Sequence, residues 1–335
     1  MVASERWLAM LRGEKTDRIP VIPVVLGHCA KVMGKSDLGD FYTKPKFNIQ
    51  AQILTRELYK YDQPPFIADP GYFTECWGGK TLQPYNPKMG SPVPIQPAAK
   101  NAEELEKLEI PDPRRAPWTK EFREMISLAV AQKEMPWVQI MGGWISATAG
   151  MVIDLETFMM WLIEEPQLAK KALALTAEYA YVTAESIVED FGADTWVPWD
   201  GNPTDSNVLI NAKMFEEFPL PYVKRLHKKM LDLGIPSIVT HWCADHTQNI
   251  KSGHIEKIPN GDNGVLSFGP EVPMELQVEK FGKKYNLLGN INPPLMMTST
   301  YDEWLTLCKD NIEIGKEAKK VYALTVGCEL PPPAP

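Results

Sequence analysis

The segment Gly192–Thr247, GADTWVPWDGNPTDSNVLINAKMFEEFPLPYVKRLHKKMLDLGIPSIVTHWCADHT, contains the pattern that decides the fold class. Two short apolar runs, Thr195–Trp199 and Ser237–His241, have the length and the β-branched and aromatic content of buried strands. Between them, Ala212–Leu233 repeats its apolar residues at helical spacing. A strand, a crossover helix and a second strand form a βαβ unit, so this segment predicts parallel strands.

The same alternation continues on both sides of this segment. Further predicted strands are Ile19–Leu26, Trp137–Met141, Val265–Phe268, Asn286–Leu288 and Val321–Val326, with an eighth near Pro65–Ala68. Further predicted helices are Leu155–Leu162, Pro166–Asp190, Pro273–Phe281 and Thr300–Ile314. Eight alternating units predict one α/β domain over residues 1–335, a single (β/α)8 TIM barrel. We interpret Asp69–Ala98, rich in Gly, Pro and aromatic residues, as a small insertion after the second strand, near the barrel mouth.

Composition excludes several classes of protein. The 335 residues carry a net charge of −8, whereas a nucleic-acid-binding protein would show a basic stripe. The longest apolar stretch, Trp137–Ile153, is interrupted by polar residues and glycines, so we expect no membrane span. The five cysteines are widely spaced and no signal peptide precedes them, which argues against a disulfide framework. We therefore expect a cytoplasmic protein whose cysteines are free to bind metal.

The predicted barrel places function at the carboxyl ends of its strands. These ends are Gly27-His28, Gly142-Gly143-Trp144, Trp199-Asp200, His241-Trp242-Cys243, Gly269-Pro270-Glu271, Gly289-Asn290 and Gly327-Cys328-Glu329. Two of them carry a cysteine, and one of these also carries a histidine.

His241, Cys243 and Cys328 form a candidate metal site. Residues i and i+2 of an extended segment point to the same side, so His241 and Cys243 can both face the mouth. One nitrogen and two sulfur ligands with an open fourth position are typical of catalytic zinc. Zinc would keep a bound thiol as its nucleophilic thiolate near neutral pH. The competing interpretation is a chance His-x-Cys pair whose thiols are small buried hydrophobic groups.

The chain resembles the uroporphyrinogen decarboxylase superfamily, specifically its branch of cobalamin-dependent methyltransferases that act with coenzyme M. The opening ERWLAMLRGEKTDRIPVIP resembles the N-terminal helical extension and first strand of that family, and GNINPPLMMTSTYDEW and VYALTVGCELPPPAP resemble its last two strands. That branch is marked by His-x-Cys and a later Gly-Cys-x-Leu-x-Pro, which match His241, Cys243 and Cys328 here. Ala244 departs from the pattern, since relatives often have Gly at this position.

The resemblance implies a zinc ion on those three residues, with Glu271 or water as the fourth ligand. It also implies a corrinoid, methylcobalamin, supplied by a partner corrinoid protein, together with a small-molecule thiol or methyl donor and a possible homodimer. The decarboxylase branch is disfavoured, because its arginine-bearing loop after the first strand corresponds here to LGHCAKVMGKSDLGD. That loop has no Arg and offers only Lys31 and Lys35.

Most of the other candidate residues near the strand ends have both a functional and a structural interpretation. Asp200 is a candidate to orient substrate or support a zinc ligand, or it caps its own turn. Trp144 and Trp199 are candidates for an apolar wall against corrinoid or substrate, or they are core. Asn290 is a candidate pocket residue. For His246 we favour a solvent-facing loop histidine over a role beside the metal.

The leading hypothesis is a zinc-dependent methyltransferase that moves a methyl group between a corrinoid protein and a thiol such as coenzyme M. A second hypothesis reverses the direction, so that a methylthiol or a methoxylated aromatic donates its methyl group to Co(I). A third is a non-catalytic protein that binds zinc or docks a corrinoid protein.

Overall fold

The computed structural model describes residues 1–68, 72–141 and 143–335. Asp69–Gly71, at the start of the predicted insertion, and Gly142, at one predicted strand end, lie outside the described residues.

A curved parallel sheet forms the centre of the fold. Its seven strands follow one another in chain order, each hydrogen-bonded to the next. They are β1 (Phe66–Ile67), β4 (Trp137–Gln139), β5 (Val197–Gly201), β6 (Val239–Trp242), β7 (Val265–Phe268), β8 (Asn286–Ile291) and β9 (Tyr322–Val326). A separate antiparallel pair, β2 (Lys80–Leu82) and β3 (Val93–Gln96), lies in the predicted insertion. The arrangement confirms the predicted TIM-barrel class.

The predicted strand Ile19–Leu26 occupies the eighth position but is not a regular strand, so this prediction was wrong in its local geometry. Its only ladder contact among the described strands is an isolated bridge from Val21 to Leu324 of β9. Pro20 and Pro23 lack the N–H groups that a ladder needs. The Ile22 N–H donates to the Leu324 carbonyl (2.8 Å), and the Asp62 N–H donates to the Val21 carbonyl (2.7 Å). The segment thus joins the last strand to the chain that leads into the first strand.

Helices cover the outside of the sheet. They are α1 (Ala3–Arg12), α2 (His28–Val32), α3 (Gly39–Thr43), α4 (Pro45–Tyr59), α5 (Tyr72–Cys76), α6 (Ala102–Glu106), α7 (Thr119–Ala131), α8 (Ile145–Ile153), α9 (Leu155–Glu164), α10 (Pro166–Phe191), α11 (Ala212–Glu217), α12 (Pro219–Asp232), α13 (Thr247–Lys251), α14 (Met274–Phe281), α15 (Leu295–Thr298) and α16 (Tyr301–Gly315). The single helix predicted over Ala212–Leu233 is two helices, because Pro219 cannot donate the hydrogen bond that would continue α11.

Aromatic side chains fill the barrel interior as a connected stack. Trp7 of α1 contacts Trp137 edge to face, with ring centroids 5.3 Å apart. Trp137 packs on Trp199 (4.7 Å), and Phe66 packs on Trp199 (4.8 Å). Trp199 stacks in turn on His241, with centroids 5.8 Å apart and 27° between the ring planes. Residues at alternate strand positions point to the same face of the sheet, here the barrel interior. The stack therefore connects α1, through the interior, with His241, one of the predicted ligands.

Within the described residues, we find no single helix that is both long and apolar enough to cross a membrane. Only α8 and α9 together meet that length and composition, and they are bent by 108° relative to each other.

Candidate metal centre

The three predicted ligands meet at the mouth of the barrel. His241 belongs to β6, Cys243 follows that strand directly, and Cys328 follows β9. One ring nitrogen of His241, Cys243 Sγ and Cys328 Sγ form a group of potential ligand atoms that all lie within 4.8 Å of one another. Residues far apart in sequence converge here because parallel strands of a barrel end on the same face.

His241 is held with one ring nitrogen ready to bind metal. Its Nδ1 forms a hydrogen bond with the Ser267 hydroxyl (3.1 Å), which lies on the neighbouring strand opposite His241 in register. Its Nε2 is buried and has no hydrogen-bond partner among the described residues. Because a metal-ligating histidine commonly uses its second nitrogen to fix the ring in this way, the orphaned Nε2 fits a metal ligand.

The two thiols have the spacing that zinc requires. Cys243 Sγ and Cys328 Sγ lie 3.9 Å apart. Two thiolates on one tetrahedral zinc, each with a bond of about 2.3 Å, would be about 3.8 Å apart. The residues present therefore fit a zinc ion with three protein ligands.

The pKa values of the two cysteines shift in opposite directions. The hydrogen bond between the two thiols raises the pKa of Cys243 and lowers that of Cys328. His241 lowers the pKa of Cys328 further. A lowered pKa favours the thiolate, which is the form of cysteine that binds metal.

A cavity of about 140 Å³ opens beside the cluster. It is lined by Val24, Leu26, Tyr42, Phe66, Ala68, Ser91, Gln139, Trp144, Trp199, His241, Cys328 and Glu329. The two tryptophans predicted as an apolar wall, Trp144 and Trp199, are both among them. Its surface is mostly apolar, which suits a small organic molecule held near a metal.

Glu271 and Asn290 lie near the cluster without joining it. Glu271 is exposed, and its charge raises the pKa of Cys243, but its oxygens are outside the group of atoms within 4.8 Å. The Asn290 amide donates to the carbonyls of Gly269 (2.9 Å) and Val272 (2.8 Å), so it braces the loop after β7.

Asp200 points away from the cluster, toward the helices. Its Oδ1 accepts the backbone N–H of Trp144 (3.0 Å), and its Oδ2 pairs with Nε2 of His227 on α12 (2.9 Å). Both side chains of this pair are buried. Asp200 therefore reaches the cavity only indirectly, by holding the backbone of Trp144.

The expectation of a solvent-facing His246 was wrong, because the side chain is fully buried. Its Nε2 donates to the Asn202 carbonyl (3.2 Å), the Asn249 amide donates to its Nδ1 (3.1 Å), and Trp242 packs on its ring. Burial lowers the pKa of His246 to about 4, so the ring is neutral. The loop after Cys243 folds back over Trp242, and sequence spacing alone does not reveal such a turn.

Sequence reasoning missed several buried polar residues of this region. Ser267 and Gln139 each interrupt a buried apolar strand, and that interruption was the available signal. Asp205 is fully buried, neither of its carboxyl oxygens has a hydrogen-bond partner among the described residues, and burial raises its pKa to about 7. No pattern in the sequence distinguishes Asp205 from an ordinary loop aspartate.

Comparison with known proteins identifies the family of the chain. The family model described as uroporphyrinogen decarboxylase (URO-D) matches residues 3–335. The chain belongs to the uroporphyrinogen decarboxylase family. The chain is also similar to the methylcobamide:CoM methyltransferase MtaA of Methanosarcina barkeri (strain Fusaro / DSM 804). The two are 26% identical over 343 residues, which cover 98% of this chain and 93% of that protein.

A solved structure agrees with this assignment at the level of the fold. A methyltransferase from Methanosarcina mazei superposes with a TM-score of 0.81 at 18% sequence identity, covering 100% of this chain and 95% of that one. The relative and the solved structure named here are both methyltransferases.

Proposed function

We propose that this protein is a zinc-dependent methyltransferase that moves a methyl group between the corrinoid of a partner protein and a small thiol such as coenzyme M. The observation that carries the proposal is the convergence of a His241 ring nitrogen, Cys243 Sγ and Cys328 Sγ beside a cavity of the same barrel mouth. Three protein ligands and an open position are typical of catalytic zinc, whereas structural sites are closed by a fourth ligand.

The residues of the chain prepare the site for this reaction. A zinc ion bound there would hold the thiol substrate as its thiolate near neutral pH. Ser267 and Trp199 orient the His241 ring, and the aromatic side chains around the cavity exclude water from it. In the overall reaction the thiol loses its proton, a sulfur–carbon bond forms, and the cobalt–carbon bond breaks with its electron pair left on cobalt.

The size of the cavity supports a corrinoid that arrives on another protein. A space of about 140 Å³ holds a small thiol but is far too small for a corrinoid ring. The corrinoid must therefore present its methyl group from outside the mouth. The resemblance to a methylcobamide:CoM methyltransferase supports the same division between a bound thiol and an external methyl carrier.

The proposal is tested by zinc analysis and methyl transfer from methylcobalamin to coenzyme M. We expect about one zinc per chain in the wild type, and loss of both zinc and transfer in Cys243→Ser, since a hydroxyl is a poor substitute for a thiolate ligand. Cys308→Ser, on α16 outside the ligand cluster, is the matched control and should keep both. A Cys243→Ser variant with full zinc and full transfer would overturn the proposal.

A second function has one observation in its favour. Four aromatic side chains, Tyr42, Phe66, Trp144 and Trp199, line the cavity, and such walls suit a methoxylated aromatic donor. Methyl transfer would then run from the donor to Co(I). Supplying Co(I) with candidate donors, in parallel with methylcobalamin and coenzyme M, separates the two directions. Zinc binding with no turnover in either assay would indicate a non-catalytic binding protein.

A further inference from the structure

Trp144, which forms part of the wall of the cavity beside the metal cluster, has an unfavourable backbone conformation. It precedes α8 with φ of 56° and ψ of 53°, in the left-handed region that a residue with a Cβ rarely adopts. Such a conformation persists only where the surrounding structure imposes it. The side chain is half-buried and lines the cavity. The contacts that hold Trp144 therefore also fix this part of the cavity wall.

The carboxyl group of Asp200 holds the backbone of Trp144. Asp200 Oδ1 accepts the Trp144 N–H (3.0 Å), and N–H groups at the start of a helix have no partner within the helix. Asp200 Oδ2 is held in turn by Nε2 of His227 on α12 (2.9 Å). The His227 side chain is 0% exposed and that of Asp200 is 4% exposed. The hydrogen bond to Trp144 thus comes from a carboxyl group that is itself fixed by a buried partner.

The hydrogen bonds of His227 show how this pair is buried without a net charge. Its Nδ1 lies 2.9 Å from the Pro259 carbonyl, which only accepts, so Nδ1 carries a proton. Nε2 and Asp200 Oδ2 share one further proton, on either the imidazole or the carboxyl group. The pair is neutral overall in both arrangements, which is the condition for burying such groups.

The ring of Trp144 packs against a glycine of β5. A Cβ added to Gly201 would overlap the Cε2 and Nε1 atoms of the Trp144 ring. Gly201 follows Asp200 directly and lies opposite His241 in the register of β5 and β6. Asp200 therefore fixes the backbone of Trp144, and the next residue of the strand accommodates its ring, beside the strand position that carries a predicted metal ligand.

We infer that Asp200 and His227 are positioning residues: the buried pair holds Trp144 in its left-handed conformation, with the ring on Gly201, and so fixes one wall of the cavity. Neither Asp200 nor His227 is among the described residues that line the cavity, so both act through Trp144. The inference rests on the proposed function for the ligand of that cavity, a small thiol. Asp200 contributes hydrogen bonds to this site and does not act as an acid or base in the reaction.

Fluorine NMR of the full-length protein labelled with 5-fluorotryptophan tests the position of Trp144 and requires no substrate. The chain has ten tryptophans, and the resonance that disappears in Trp144→Phe belongs to Trp144. We expect Asp200→Ala and Gly201→Ala each to shift or broaden this resonance, since one removes the backbone hydrogen bond and the other fills the space of the ring. Asp200→Asn should leave it in place, because its amide donates to a neutral Nε2 and its oxygen still accepts the Trp144 N–H.

Calorimetric titration of the zinc-loaded variants with 2-mercaptoethanesulfonate measures the effect on the cavity. We expect Asp200→Ala and Trp144→Ala each to weaken thiol binding about tenfold with zinc content unchanged, because each removes an ordered apolar wall. The double variant Asp200→Ala/Trp144→Ala should bind no more weakly than Trp144→Ala alone, whereas independent effects would multiply to about a hundredfold. Asp200→Asn should keep most of the affinity. Asp232→Ala, at the exposed end of α12, is the matched control and should keep both affinity and zinc.

The outcomes separate this inference from the proposed function. If the zinc-loaded wild type binds no thiol, the proposed function fails, and the fluorine spectra still decide what holds Trp144. An unchanged Trp144 resonance in both Asp200→Ala and Gly201→Ala, or a double variant that binds about a hundredfold more weakly than wild type, overturns the positioning role and leaves the function intact.

Asp200→Asn separates positioning from a direct role of the carboxyl group. A loss of thiol affinity as large as that of Asp200→Ala would show that the charge of Asp200 acts on the site, which also overturns the inference. Circular dichroism establishes that each variant is folded. If Asp200→Ala does not fold, Asp200→Ala combined with His227→Leu takes its place, since it leaves no unpaired imidazole in the interior.

Discussion

At the scale of single residues, the hydroxyl of Ser267 decides how His241 presents its free nitrogen. Ser267→Ala removes the hydrogen bond to Nδ1 and frees the ring to turn. We expect zinc affinity to fall by about 10- to 100-fold, as is usual when such a supporting bond is lost. Competition with a chromophoric chelator measures the change. Ser267→Thr keeps a hydroxyl and should retain most of the affinity, and equal losses in both variants would argue against the role of this bond.

Asp205 provides a pH-dependent prediction. Its pKa is about 7 in the folded protein, against an ordinary value of 3.8, because burial disfavours the charged carboxylate. Between these values the folded state binds more protons than the unfolded state, so the free energy of unfolding falls as pH rises from about 4 to about 7. A shift of this size corresponds to about 4 kcal/mol across the window.

Asp205→Asn removes this titration. Urea unfolding of both proteins from pH 4 to pH 8 should therefore show the variant gaining stability relative to wild type as pH rises, with no further gain above about pH 7. A stability difference that stays constant over the whole range would mean that the carboxyl group is ionised or satisfied by a partner in the folded protein.

At the scale of elements, the turn after β6 carries backbone strain. Ala244 follows Cys243 directly and has φ of 63°, in the left-handed region that costs a residue with a Cβ about 1–2 kcal/mol. Glycine adopts this region freely. Ala244→Gly should raise the free energy of unfolding by about 1 kcal/mol in urea denaturation. Ala131→Gly, at the end of α7, is a control that should lower it, and stabilisation by both would contradict the argument.

The elements also show which sequence signals were reliable. β7 has the predicted bounds, Val265–Phe268, because a short β-branched and aromatic run between turn residues has few alternatives. The helix predicted over Ala212–Leu233 breaks at Pro219, where a proline-specific steric effect interrupts an otherwise continuous apolar periodicity. Ile19–Leu26 has strand-like composition, but two prolines and the positive φ of Val24 prevent a regular ladder.

At the scale of the whole molecule, the side chain of Gln63 helps to close the barrel. The Val25 N–H donates to Gln63 Oε1 (2.7 Å), and Gln63 Nε2 donates to the Val25 carbonyl (3.0 Å). An amide side chain thus replaces the missing strand ladder at the irregular eighth position. Both neighbours of Val25, Val24 and Leu26, line the cavity beside the metal cluster.

Gln63→Leu leaves both backbone groups of Val25 buried without these partners. We expect a loss of about 2 kcal/mol or more in the free energy of unfolding, and weaker thiol binding because the cavity wall shifts. Urea denaturation and calorimetry measure the two effects. The exposed Gln132→Leu is the control and should change stability little. Unchanged stability in Gln63→Leu would show that the barrel closes without this side chain.

The sequence by itself predicted the alternation of strands and helices, the barrel class and the candidate metal-binding residues His241, Cys243 and Cys328, which the structure brings together. These predictions follow from local patterning and from the rule that parallel strands of a barrel end on one face. Residues far apart in the chain could therefore be assigned to one site. Only the tertiary structure decided which buried polar groups face the site. Ser267 holds His241 from the neighbouring strand, and Asp200 and His246 have partners that no sequence spacing specifies. Side-chain direction at a strand end depends on the packing of the whole barrel, and that information is not local.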